Sequence, residues 1–276
     1  MRARVQMMQA GKRGVMLACA LLLFAAATPL LHAQSLQFGL TPPDVELVPA
    51  PGGTASGVLV VYNRSPRALH FRIALQDVFI RPSGVIEILK PATTRWSVAG
   101  MTRVSPSEFD LEPNRQMPIR VVVTVPKDAR GGLYGAIVVS PSPTLQSSGP
   151  RGTFAVVAPK LAARLLVPIS GTGAPQGAVV NMLAASLPGK GVDVKVVFRN
   201  GGNVHARVDG IVTLLRGGEV VAKGLLEESL VLPASVREFR LLLSSTRLAP
   251  GSYTVRAVMD YGADVLVAGE VTVTIR

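Results

Sequence analysis

The side chains that could do chemistry are few and scattered. Only two histidines lie beyond the first 33 residues, His70 and His205, each a short way after an asparagine that ends an apolar stretch, Asn63 and Asn200. A zinc site or a nucleophilic triad needs His, Asp, Glu or Cys drawn together from several segments, and no such cluster can be drawn here. The closest carboxylate pairs are Asp44 with Glu46, Asp110 with Glu112, and Glu227 with Glu228. All sit in or beside strand-like segments and are expected to be solvated edge positions. Asn200-Gly201-Gly202-Asn203 lacks the following Lys-Ser/Thr of a phosphate loop and reads as a turn. Trp96, the single tryptophan, reads as packing at a domain edge. The matching places of His70 and His205 suggest that each serves its own domain structurally. No enzyme and no cofactor are implied.

The single cysteine, Cys19, lies in the leader. Arg2, Arg4, Lys12 and Arg13 precede the apolar run Val15–Ala27, and Thr28-Pro29-Leu30-Leu31-His32-Ala33 closes it. A positive flank, a short apolar core and a small residue at its end describe a secretory signal peptide over residues 1–33, cut after Ala33. The run is shorter than the roughly 20 residues a spanning helix needs, so no stable membrane span is expected after cleavage. The remaining chain has no thiol, and its core alone must hold it together. The net charge is +12, with four of the cations in the leader. The other arginines are spread one or two per strand, without runs or interleaved aromatics, which argues against nucleic acid as a partner.

The elements that position these residues are short Val/Ile/Leu-rich segments punctuated by Gly and Pro. Val58–Tyr62, Phe71–Leu75, Ile119–Val125, Tyr134–Val139, Val192–Phe198, Gly210–Leu215, Glu238–Leu243, Ser252–Met259 and Val265–Ile275 all read as strands. No segment after the leader has ten residues of helical periodicity. The halves repeat one another. Val60-Val61-Tyr62-Asn63, Leu111-Glu112-Pro113, the strand Pro118–Val125 and Gly132-Leu133-Tyr134 are echoed by Val196-Val197-Phe198-Arg199-Asn200, Leu232-Pro233, Arg237–Leu243 and Gly251-Ser252-Tyr253. Repeated order and spacing imply two copies of one fold. Gly-x-Tyr opening a late strand is similar to the tyrosine corner of immunoglobulin-like sandwiches. Asn63 and Asn200 are expected at turns, where Asn tolerates the left-handed conformation. The fold class expected is all-β, with two tandem immunoglobulin-like β-sandwich domains: residues 34–170, a hinge at 171–177, and residues 178–276.

Leu111-Glu112-Pro113, the following apolar strand, Pro126-Lys127-Asp128 and the Tyr134-led strand together resemble the PapD-like periplasmic chaperones of pilus assembly. Pro42–Asn63 is similar to that family's opening strands, and Met259-Asp260-Tyr261-Gly262 to its late Asp-Tyr-Gly turn. The resemblance implies a periplasmic protein that binds an exported subunit, pilin-like or another surface protein, by lending it a strand. The polar loop Ser140–Thr153 would precede the donor segment Phe154–Ile169. On that alignment the partner-binding residues are Phe154, Ala155, Val156, Val157, Lys160, Arg164 and Leu166, with Arg164 placed to capture a terminal carboxylate. The family's second basic anchor has no counterpart, because Leu36–Leu47 contains no Lys or Arg. A non-catalytic structural or adhesive module of the cell envelope is the alternative that the residues leave open.

Overall fold

In the computed structural model, residues 37–142, 159–245 and 248–276 are described. The leader, residues 143–153 of the expected polar loop and residues 154–158 of the expected donor segment lie outside them. Among the described residues, seventeen strands and one 3-10 turn (Ala99–Met101) account for the regular structure. No helix among the described residues is long and apolar enough to cross a membrane.

Ten strands build the first half: β1 (Phe38–Thr41), β2 (Asp44–Glu46), β3 (Thr54–Asn63), β4 (Leu69–Ile80), β5 (Ile86–Leu89), β6 (Thr102–Ser105), β7 (Glu108–Leu111), β8 (Gln116–Thr124), β9 (Gly132–Ser142) and β10 (Leu161–Pro168). One sheet has the order β1-β3-β8-β6; the other runs β2-β10-β9-β4-β5, with β7 also on β4. Prolines mark the two places where the chain changes sheets. Pro42-Pro43 separates β1 from β2, and Pro106 separates β6 from β7, so each short pair contributes to both layers. Alternation along the strands then faces Leu59, Val61, Phe71, Ile119, Val121, Ile137, Val139 and Leu165 into the space between the sheets. Phe71 packs there between Phe38 and Phe109, at centroid distances of 5.4 and 5.5 Å.

Seven strands build the second half: β11 (Gly177–Leu187), β12 (Gly191–Asn200), β13 (Ala206–Arg216), β14 (Glu219–Val231), β15 (Val236–Ser244), β16 (Gly251–Asp260) and β17 (Val267–Ile275). They form sheets of order β11-β12-β15 and β14-β13-β16-β17, the three-on-four arrangement of an immunoglobulin-like sandwich. Its core includes Val194, Val196, Phe198, Val212, Leu214, Tyr253, Val255 and Met259. Both halves are immunoglobulin-like β-sandwiches, as expected.

The internal repeat has an atomic basis that differs from the one expected. Neither Asn63 nor Asn200 is left-handed. Both are buried hydrogen-bond hubs. The Asn63 amide donates to the carbonyls of Arg67 and Leu111, at 2.7 and 2.9 Å. The Asn200 amide donates to those of Val204 and Val231, at 2.8 and 2.9 Å. Each side-chain oxygen accepts the N–H two residues on, from Ser65 or Gly202. Each Asn N–H donates to the residue that leaves the proline turn, Arg115 or Ser235. The left-handed residues are those following Pro113 and Pro233, namely Asn114 (φ 56) and Ala234 (φ 55). An amide has two donors and an acceptor, which is what a crossing chain with orphan carbonyls requires.

On the outer surface of the first sandwich, His70 lies across from Asp110 in the β4–β7 pair, and its ring nitrogens meet Asp110 at 2.8 Å and Glu108 at 2.7 Å. These hydrogen bonds, to Asp110 first and then to Glu108, raise the His70 pKa above its ordinary 6.5. The folded state therefore holds this proton more tightly than the unfolded one. The contribution is complete below about pH 6.5 and fades as pH rises through the folded value. Observed by NMR, the His70 ring should titrate above the free value in the native protein. It should return to the free value in Asp110→Asn/Glu108→Gln.

Candidate functional site: the edge of β10 and the joint between the sandwiches

β10 pairs along its whole length with β9, from Leu161 opposite Val139 to Pro168 opposite Gly132. Its other edge is covered only in part. β2 runs parallel to it across three residues, with Arg164, Leu165 and Leu166 opposite Asp44, Val45 and Glu46. Two further bonds close the ends of that pairing, Arg164 N–H to the Pro43 carbonyl and Leu47 N–H to the Leu166 carbonyl, both 2.9 Å. Upstream, Leu161, Ala162 and Ala163 pair with no second strand among the described residues, although the Ala163 side chain is itself buried. Lys160 is exposed just before the strand, Leu161 is half-buried and Ala162 exposed. A β-strand with one bare edge is a template for another strand.

The remaining expected partner residues face elsewhere. Leu166 is fully buried and presents no surface to a partner. It stands on the outer face of its sheet with Val78, Ile80, Tyr134, Ala136 and Val138. Leu230 and Leu232 of the second sandwich close over this face, and Trp96 packs at its margin. Sequence alternation alone could not distinguish this buried outer face from a solvent-facing one. Trp96 has the packing role expected of it.

Arg164 is already engaged. Its guanidinium donates to both carboxylate oxygens of Asp44, Nε at 2.5 Å and the second nitrogen at 2.7 Å, with only a quarter of the arginine side chain exposed. Parallel registration of β2 on β10 puts the two residues side by side, and the bidentate fork fixes them. Asp44, largely covered by Arg164, is thus not the solvated position expected of it, whereas Glu46 is exposed on the edge strand β2 as expected. Arg207, on β13, reaches back across the joint to Glu46 at 3.2 Å, Asp44 at 3.8 Å and Glu228 at 3.5 Å. Although burial opposes its charge, these carboxylates outweigh that effect and the Arg207 pKa is raised. Two guanidiniums facing three carboxylates leave the cluster with one surplus negative charge, the reverse of a carboxylate-capturing pocket.

His205 belongs to this joint and not, as expected, to its own sandwich alone. Its backbone N–H donates to the Tyr134 hydroxyl at 2.6 Å, and its ring Nδ1 lies 3.3 Å from the same oxygen. Nε2 lies 3.6 Å from Glu46. Burial is the main cause that lowers the His205 pKa and raises that of Tyr134. The two Gly-x-Tyr motifs have diverged here. Tyr253 makes the expected corner, donating to the Ala249 carbonyl at 2.8 Å, whereas Tyr134 extends its hydroxyl across to the second sandwich. Further bonds tie the segment between the halves. Gly131 N–H donates to the Thr172 hydroxyl at 2.9 Å and Gly132 N–H to the Asn203 carbonyl at 2.8 Å. The Asn203 amide donates to the Thr172 carbonyl and accepts from Ala174 N–H.

Among the described residues no group of three or more His, Cys, Asp or Glu is arranged to hold a metal ion. No protein-family model matches the chain, and no curated protein matches it significantly. Among solved structures it is similar to the class 5 fimbriae chaperone CfaA, at 14% identity over 85% of this chain and 98% of that one, with a TM-score of 0.46. It is also similar to the Pseudomonas aeruginosa CupB2 chaperone, at 14% identity, 86% and 100% coverage and a TM-score of 0.42. A third is the CsuC–CsuE chaperone–tip adhesion subunit complex of Acinetobacter baumannii, at 12% identity, 85% and 97% coverage and a TM-score of 0.45.

Proposed function

We propose that this chain is a periplasmic, non-catalytic chaperone-like protein that holds an exported pilin-like or other surface subunit by β-strand addition along β10. On this reading residues 1–33 are a cleaved signal peptide, residues 34–170 and 178–276 are the two domains, and 171–177 join them. The half-covered edge of β10 is the observation that supports it most. β2 occupies the parallel position beside Arg164–Leu166 and leaves the backbone of Leu161–Ala163 unpaired on that side among the described residues. A partner strand laid parallel to β10 would continue the sheet where β2 stops, and ladder hydrogen bonds would supply most of its affinity. Phe154, Ala155, Val156 and Val157 would extend the contact upstream, and Lys160 would lie at its rim. Leu166 anchors the strand from behind. Arg164 holds β2 in place instead of meeting the partner.

The test uses C-terminally tagged protein purified gently from the periplasm, as wild type and as Val157→Asp/Ala162→Asp. Wild type should bring down a small β-rich subunit, and the variant should lose at least about tenfold of it while melting like wild type. Equal recovery from a stably folded variant would remove the strand-addition reading. The alternative, a structural or adhesive envelope module, draws support from the saturated Arg164–Asp44 pair. It expects the tagged protein in the envelope fraction with no released complex.

A further inference from the structure

We propose that His205 is an acid-operated latch between the two sandwiches, holding the joint closed while its ring is neutral and loosening it when the ring takes up a proton. The hydrogen-bond pattern at Tyr134 carries the argument. The phenolic oxygen already accepts the His205 backbone N–H at 2.6 Å, so its own hydrogen is the one available to the ring nitrogen 3.3 Å away. This assigns Nδ1 as the acceptor in the neutral ring and places the ring hydrogen on Nε2, toward Glu46. The neutral ring thus completes a two-way link between β9 and the chain entering β13. A protonated ring presents a donor at Nδ1, and the hydroxyl hydrogen loses its acceptor. Among the described residues that hydroxyl hydrogen-bonds only with His205.

The surroundings decide the sign. The His205 side chain is 7% exposed and its ring meets edge-on, at 5.7 Å between centroids, that of Tyr134, a member of the apolar seam with Leu166, Leu230 and Leu232. Charged and titratable groups face it from every neighbouring element: Glu46 and Asp44 of β2, Arg164 of β10, Arg207 of β13 with Glu228 behind it, and Tyr134 of β9. Glu46 and Asp44 favour a charged ring, and the two arginines oppose it. Both carboxylates are already committed to those arginines, so burial prevails and the pKa is lowered. With the folded value below 6.5, the open or unfolded chain binds the proton better. Closure is therefore at full strength above about pH 6.5 and declines as pH falls from there toward the folded value.

The joint can be read as a distance. In a Cys19→Ser background, Ser56→Cys and Thr272→Cys place spin labels on exposed strand positions of the two sandwiches. Between about pH 8 and about pH 5, the inter-label distance distribution should broaden and shift, with a midpoint matching the NMR titration of the His205 ring. His205→Gln, uncharged at both pH values, should lose the response while retaining the narrow distribution seen in mild base. An unchanged distribution in the wild-type protein across this range would overturn the latch, and so would an acid response that persists in His205→Gln. Neither result touches the strand-addition reading, which is tested on β10 at constant pH.

Discussion

Asn63→Ala and Asn200→Ala should each lower the unfolding free energy by about 2 kcal/mol, losses large beside a typical domain's stability. Each substitution removes the amide donors from two carbonyls and the acceptor from one N–H at buried or part-buried positions. Asn63 also accepts from the Ser65 hydroxyl, which after truncation can turn to the Arg67 carbonyl 2.8 Å away, so the two sites should cost about the same. Aspartate separates hydrogen bonding from shape. It keeps the volume but turns two donors into a carboxylate facing two carbonyl oxygens, so Asn63→Asp should be at least as damaging as Asn63→Ala. Urea denaturation followed by circular dichroism measures all three variants. If Asn63→Ala proves milder than about 1 kcal/mol, the hub assignment fails.

Leu166→Ala and Leu165→Ala form the second test, because adjacent residues on one strand point to opposite faces. Both side chains are fully buried, and each truncation should cost about 3 kcal/mol through lost burial and the cavity left behind. The consequences should differ in kind. Leu165 lies inside the first sandwich, so its loss leaves unfolding cooperative at a lower midpoint. Leu166 lies in the seam with Leu230 and Leu232, so its loss should uncouple the halves and split the denaturation curve into two transitions. A single transition for Leu166→Ala, measured by Trp96 fluorescence and far-ultraviolet circular dichroism together, would show that the seam does not couple the sandwiches.

The fold was legible where local chemistry repeats. Val60-Val61-Tyr62-Asn63 and Val196–Asn200 read as equivalent strand ends because the same hub sits in each, even though its role is hydrogen bonding and not a left-handed turn. The apolar strands β3, β8, β12 and β16 announced themselves through branched residues. β2, only three residues long and holding two carboxylates, looked like solvated chain, since nothing local to Asp44 or Glu46 signals the arginines they meet. Arg164 lies 120 residues away from Asp44, and Arg207 lies 161 from Glu46. β11 and β14 also escaped notice, because their outward faces mix Leu and Val with Lys, Glu and Asn and blur the alternation. The division of labour between the two Gly-x-Tyr tyrosines depends on which neighbour each hydroxyl finds, a matter of tertiary approach alone.

The short parallel strand β2 also has a consequence for the order of assembly. Its residues leave the ribosome long before β10, yet they have no sheet position until β10 arrives. Closing the loop from Asp44 to Arg164 spans 120 residues, whereas β9 and β10 meet across a far shorter connection. The difference in loop-closure entropy is about 1.5 kcal/mol, and contacts so distant in sequence form late. The nascent protein therefore passes through a stage in which β9 and β10 are paired and the whole outer edge of β10 is open. β2 then docks over the end at Arg164–Leu166, and the length of edge left bare in the mature molecule is set by how few residues that last strand contains.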